Sequence, residues 1–315
     1  ASKIRNHPAT ESIPILMFTA KTAVNDKIAG FQAGADDYLT KPIRPQDLIS
    51  RVENLLERQP IGNADFAGGH IVGFLPTKGG LGTSTLALNT AIELRNMHPD
   101  LSCALVELQA GRGTLAMQLG IDHRASLSDL LERPLSHITA ESLNTYMVTH
   151  ASGLRVLLAS QEPVGIGPEL TKRYVHTMLQ YMDISYDYVL LDLPPDVSEP
   201  YREALTLCGM ILLTVEPSRI GLALAEHMLS ALDRFGIASQ KVRVILLHRV
   251  PAVGTLSRNM IEQTLHREMV AGIPPVPDLA LESGQNGRPM VDMQPHSLVA
   301  QQIRRVVQSI VEEQV

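Results

Sequence analysis

Several features are scarce in this chain, and each scarcity excludes something. No apolar run in the 315 residues approaches the ~20 needed for a helix to span a bilayer, so no integral membrane segment is expected. The residues from Ala1 onward do not have the pattern of a signal peptide. Positive charge is short: 27 Lys and Arg face 33 Asp and Glu, for a net charge of −6. That leaves no global basic field for nucleic acid or an anionic lipid surface. There are only two cysteines, Cys103 and Cys208, each inside an apolar run. Buried thiols in a reducing cytosol fit this better than a disulfide framework. None of the 11 histidines has another three or four residues on, so a helical metal pair is unsupported. Internal repeats and low-complexity tracts are absent from the sequence.

What is present is organised around one stretch. Ile71-Val-Gly-Phe-Leu75 reads as a short buried strand. Lys78-Gly79-Gly80-Leu81-Gly82-Thr83-Ser84-Thr85 follows as a glycine-rich turn, and Leu86, Leu88 and Ala91 begin a helical pattern. Strand, glycine loop and helix start together make an anion cradle. Glycines let the backbone approach closely, and unpaired N–H groups at the helix start point at a phosphate. The general phosphate loop ends in Gly-Lys-Ser/Thr. Here Thr83 stands at the lysine position, and Lys78 stands at the front of the loop instead.

From His70 onward, apolar runs alternate with helical patterns. Strands are expected at 71–75, 102–108, 154–159, 188–193, 210–216 and 242–248. Continuous runs such as Tyr188-Val-Leu-Leu191 and Met210-Ile-Leu-Leu213 suit strands covered on both faces. The fold class expected is α/β, a doubly wound and mainly parallel sheet. A last helix over 297–313 places Val299, Ile303, Val306, Val307 and Ile310 on one face. Its only cations are Arg304 and Arg305, so core packing is favoured over membrane targeting.

The chain is expected to divide into a first unit at 1–58, a linker at 59–69 and a main domain at 70–315. Gln59-Pro60, Gly62-Asn63 and Gly68-Gly69 give the linker its turn-rich chemistry. In the first unit, a strand over 13–20 precedes a helix over 24–33 and a short strand and turn at Asp37-Tyr-Leu-Thr-Lys-Pro42. A second amphipathic helix carries Leu48, Val52, Leu55 and Leu56. This order resembles the C-terminal half of a two-component receiver domain, a flavodoxin-like α/β unit. The resemblance makes Thr19 the switch hydroxyl, Tyr38 the switch aromatic, and Lys41-Pro42 the phosphate-pairing lysine with its cis proline. The acidic pocket and phosphoacceptor belong to the half that does not appear in these residues. Two strands and two helices cannot bury their apolar faces alone, so the chain is expected to continue upstream of Ala1.

The glycine loop resembles the deviant phosphate loop of the ParA/MinD ATPases, Lys-Gly-Gly-x-Gly-Lys-Ser/Thr-Thr. The resemblance implies that Lys78 reaches a partner's nucleotide across a homodimer. It makes Gly79, Gly80, Leu81 and Gly82 the cradle, Ser84 the magnesium-ligand hydroxyl and Thr85 the next hydroxyl. The family's Asp-x-Asp becomes Glu107-Leu108-Gln109. Glutamine orients water but cannot accept its proton, so weak or vestigial ATPase activity is expected. Asp192, ending an apolar strand, resembles the Walker B aspartate that holds Mg2+ through water. His248-Arg249 matches the base-site segment; His248 either contacts a base or caps a strand end. Pro277 and Asp278, in the family's late proline–aspartate loop, would line the base.

A half receiver joined to such a domain, with a small residue for the loop lysine, resembles the CpaE/TadZ family of type IV (Flp/Tad) pilus assembly. This implies ATP and Mg2+ as cofactors and pilus or secretion machinery at a cell pole as partner. The location implied is cytoplasmic, polar and peripheral to the inner membrane. Three readings stay open: a nucleotide-dependent dimeric localisation factor, a non-hydrolysing scaffold, and a DNA-partitioning ATPase. The last lacks a basic patch, and no specific nucleic-acid partner is expected. Hydride transfer is weaker still, because the loop lacks Gly-x-Gly-x-x-Gly spacing.

Overall fold

The computed structural model describes residues 15–19, 37–46, 48–49, 52, 71–122, 125–249 and 256–312. The chain falls into two compact units, Ala1–Asp65 and Phe66–Val315. In the first, β1 (Leu16–Thr19) pairs in parallel with β2 (Asp37–Thr40), placing Met17 opposite Tyr38 and Thr19 opposite Thr40. Thr19 ends its strand, as the receiver resemblance implied, and exposed Lys41 and Pro42 follow β2 through a cis peptide. The helix expected over 24–33 lies outside the described residues. Of the second expected helix, Leu48 and Val52 are helical, while Leu55 and Leu56 lie outside them.

The second unit begins with β3 (Ile71–Pro76), α1 (Thr83–Met97) and β4 (Cys103–Glu107). Short helices α2 (Leu115–Gln118), α3 (Leu127–Leu131) and α4 (Ala140–Tyr146) lead to β5 (Met147–Thr149) and β6 (Arg155–Leu157). Next come α5 (Lys172–Ser185), β7 (Tyr188–Asp192), α6 (Glu199–Leu207), β8 (Met210–Val215) and α7 (Arg219–Arg234). The chain continues through β9 (Val242–Leu247), α8 (Arg258–Leu265) and β10 (Met269–Ile273). It ends in α9 (Pro277–Asn286), α10 (Met290–Met293) and α11 (Leu298–Glu312).

The eight strands run in the order β10-β9-β8-β3-β7-β4-β6-β5. All neighbours are parallel except β5, which pairs antiparallel with β6 at the edge. Strand alternation explains why both faces are apolar. Val72, Phe74, Leu105 and Leu190 face one core with α1 and α11; Ile71, Leu75, Val106 and Leu191 face the other with α5 and α6. The predicted runs were right in kind; the first was one residue short at Pro76, and the other five were one or two residues too long at their ends. The sequence reading omitted β5 and β10. In α11, Val299, Ile303, Val306, Val307 and Ile310 are all buried, which settles that helix as core. Arg304 joins it to α1 by a 2.6 Å ion pair with buried Glu93.

Both cysteines are free and buried, and burial pushes each thiol up to about 12. They are therefore poor nucleophiles and metal ligands near neutral pH. Among the described residues, no helix is long and apolar enough to cross a membrane.

Candidate functional site

Successive strands pass to both sides of β3, so the carboxyl ends of β3, β4, β7 and β8 form the crevice where such sheets bind ligands. The glycine loop runs from β3 into α1 across this crevice. Gly80 and Gly82 take φ of 73° and 96°, a region glycine enters without steric cost. A Cβ on Gly79, Gly80 or Gly82 would meet nothing within 4 Å, so the loop faces open space. Gly82 is the N-cap of α1, where no side chain caps the helix and no acidic residue occupies the first turn. The helix-start amides are thus left for an anion.

The loop is fastened to β8. Thr77 donates to the Thr214 carbonyl through its backbone N at 3.2 Å and its hydroxyl at 3.1 Å. Thr83, buried at the lysine position, shares a 2.6 Å hydroxyl–hydroxyl hydrogen bond with Thr214. Lys78 pairs with Glu216, both side chains being partly exposed. Sequence reasoning missed Thr214 and Glu216. The only available signal was a threonine interrupting the apolar run Met210–Val215.

Asp192 ends β7, in register with Phe74 on one side and Glu107 on the other. It is 1% exposed and hydrogen-bonded to Ser84, yet its Oδ2 has no hydrogen-bond partner. Burial, with the nearby Glu107 carboxylate adding to it, pushes the Asp192 carboxyl up to about 7, against the Ser84 hydrogen bond. A buried orphan oxygen beside a serine hydroxyl fits a hydrated divalent cation. Among the described residues there is no cluster of three His, Cys, Asp or Glu that would hold a metal alone. Any cation here therefore needs oxygens from its ligand or water.

Glu107 is fully buried beside Asp192, and both of its carboxylate oxygens are taken by backbone amides. Its Oε1 accepts from Thr114 N at 2.5 Å and Leu115 N at 3.1 Å, and its Oε2 from Ala159 N at 3.0 Å. Burial raises its carboxyl, and these hydrogen bonds oppose the rise. The arrangement pins the start of α2 to the end of the β6 segment. Gly113 is needed there, because a Cβ would lie 2.6 Å from the Ala159 carbonyl oxygen. Removing the carboxylate strands the buried N–H donors of Leu115 and Ala159 and the part-buried one of Thr114, at roughly 1–3 kcal/mol each. Glu107→Ala is therefore expected to lose at least about 3 kcal/mol in urea unfolding. A loss below 1 kcal/mol would contradict the pinning role. Gln109 is half-buried, its backbone N donating to the Glu107 carbonyl at 3.0 Å.

On the other side of the loop lies a cleft of about 170 Å³. Gly82 and Thr85 form one wall, His248, Arg249 and Pro277 another, and Ile303 contributes to the apolar lining. Four elements thus bring the sequence-predicted base-site residues beside the loop. Asp278 is not among them: it is exposed in the first turn of α9. The His248 backbone N donates to the Ile273 carbonyl at 3.1 Å, and its half-buried ring lines the cleft.

A doubly wound parallel sheet with an open glycine loop and a buried strand-end aspartate defines a protein of the phosphate-loop class. The AAA-domain family profile matches residues 69–243, more than half the chain, and the response regulator receiver-domain profile matches residues 1–53. The chain belongs to the AAA-domain family. It is 24% identical over 225 residues to the septum site-determining protein MinD of Thermotoga maritima, covering 68% of this chain and 79% of that protein. Its first segment is 40% identical over 65 residues to the phosphate regulon regulatory protein PhoB of Pseudomonas aeruginosa, 21% of this chain and 28% of that protein. The chain thus spans only about a quarter of that receiver-bearing relative. Its fold is similar to a ParA family ATPase from Chlorobium tepidum, with a TM-score of 0.68, 22% identity, and coverage of 76% of this chain and 99% of that one. It is also similar to MinD of Pyrococcus horikoshii complexed with Mg-ADP, with a TM-score of 0.61, 18% identity, and coverage of 78% and 98%. The fold is that of the ParA and MinD ATPases.

Proposed function

We propose that this protein is a MgATP-binding localisation factor that dimerises with nucleotide, with turnover weak or vestigial. The observation that carries this reading is the orphan Oδ2 of Asp192, buried beside Ser84 under an open glycine loop. In this reading Gly79, Gly80, Leu81, Gly82, Thr83, Ser84 and Thr85 surround the phosphates. Ser84 and Asp192 hold the Mg2+ shell, and the cleft of His248, Arg249 and Pro277 takes the base. Bound MgATP supplies the phosphoryl charge that the loop amides and Lys78 answer.

Lys78 acts on the partner's nucleotide and must first leave Glu216. A partly exposed pair contributes about 0–1 kcal/mol, so this release costs little. Gln109 orients water, and Glu107 positions the neighbouring backbone rather than moving a proton. We assign residues 1–58 to a receiver-like half whose switch positions are Thr19, Tyr38, Lys41 and Pro42, residues 59–69 to a linker, and residues 70–315 to the ATPase domain. The resemblance to the CpaE/TadZ family supports a cytoplasmic role at a cell pole, with pilus or secretion machinery as partner.

The test is an equilibrium titration with MgATP beside Lys78→Ala and Asp192→Ala, with oligomeric state followed in parallel. Saturable binding that weakens in both variants, with nucleotide-dependent dimer lost in Lys78→Ala, is expected. Absence of binding up to millimolar MgATP would sink the proposal. It would favour the second reading, a non-hydrolysing scaffold, for which the occupied Glu107 carboxylate and Thr83 speak.

A further inference from the structure

Both hinges of the glycine loop converge on one residue of β8. Thr77, where the loop leaves β3, donates twice to the Thr214 carbonyl, and Thr83, where it enters α1, is tied to the Thr214 hydroxyl at 2.6 Å. Thr214 is 0% exposed, and its hydroxyl also lies 3.5 Å from the Leu75 carbonyl oxygen. Between the hinges stand five residues, three of them glycines with no neighbour within 4 Å of a built Cβ. The glycines give the segment high backbone entropy and no side chains of their own to hold it, while Leu81 is buried in the core and Lys78 pairs with Glu216. Its shape is set by buried Leu81 and by the two hinges. The strand itself is already secured by pairing with β3 and β9, so the hydroxyl is not needed for the sheet.

We propose that Thr214 is a positioning residue for the nucleotide loop, its hydroxyl locking Thr83 so that the loop is held open for phosphate without a lysine at that position. The assignment rests on the MgATP reading above and deepens it: the cost of ordering the loop is met before ligand arrives. Thr214→Val removes the hydroxyl but keeps the shape and the carbonyl that anchors Thr77. Thr83→Val removes the same bond from its other side.

The experiment pairs amide hydrogen exchange across residues 77–83 of the nucleotide-free protein with MgATP titration, for Thr214→Val, Thr214→Ser, Thr83→Val and the double valine variant. Thr214→Val is expected to speed loop exchange severalfold and weaken MgATP about three- to tenfold. Thr214→Ser should restore both, and the double variant should be no worse than either single one, because one bond is lost in each case. Wild-type exchange and affinity in Thr214→Val would overturn the proposal, as would losses at 83 and 214 that add. If the wild-type protein binds no MgATP while Thr214→Val still frees the loop, the nucleotide reading falls and the anchoring of the loop stands.

Discussion

Asp192→Asn is expected to melt about 5–10 °C above the wild type at pH 8 without nucleotide, a gap that closes toward pH 4. The wild-type carboxyl moves from 3.8 to about 7 on folding, chiefly because it is buried. Below both values the carboxyl is protonated in folded and unfolded chains alike, and it costs nothing. As pH rises from about 4 to about 7, the unfolded chain releases its proton while the folded chain holds it, so stability falls with pH. Above about 7 the folded protein carries a buried charge that costs up to roughly 4 kcal/mol. Asparagine keeps the shape and the acceptor for Ser84 and removes that charge. The same variant should gain less stability from MgATP than the wild type, because a neutral amide balances a dication less well. Melting curves from pH 4 to 9 decide the matter: a gap that is absent or independent of pH would show that the aspartate carries no such penalty. Destabilising burial of this kind is what a site held ready for a cation requires, since cation binding relieves it.

Thr83→Lys is expected to tighten MgATP by about 2- to 30-fold net. A charge-assisted hydrogen bond to phosphate contributes roughly 1.5–3 kcal/mol, and that is the gain set against the lost hydroxyl pair with Thr214. The neutral pair is worth about 1 kcal/mol net, so the lysine wins unless its side chain cannot rotate toward the cradle. Open space at Gly80 and Gly82 leaves it that path. Titration calorimetry of the variant checks this. Affinity at or below the wild-type value would mean that the threonine pair does more for binding than a phosphate-directed ammonium could. The loop would then be adapted to its present sequence and not merely short of a lysine.

Local patterns carried much of the architecture. Apolar runs covered on both faces, such as Tyr188–Leu191, announced buried parallel strands, and the period of α11 announced a helix with one buried face. The edge strand Met147–Thr149 was illegible, since three residues make a strand only by finding an antiparallel neighbour. Met269–Ile273 was missed for a related reason: Ala271 and Gly272 dilute its apolar signal, and its pairing with β9 supplies the rest.

At the site, the glycine loop, Ser84 and Asp192 were legible because phosphate and cation chemistry demand those types at that spacing. Contiguous sequence alone thus determined a doubly wound sheet, an anion cradle after its first strand, and the departure from the usual loop at Thr83. Tertiary structure alone decided what these residues face. Thr214 and Glu216 stand more than 130 positions after the loop they hold. The Glu107 carboxylate could be read as reactive until three backbone amides were seen to occupy it. Hydrogen-bond satisfaction in a buried site depends on which strands are neighbours. Sheet order is set by long-range packing, to which the local periodicity of the chain is blind.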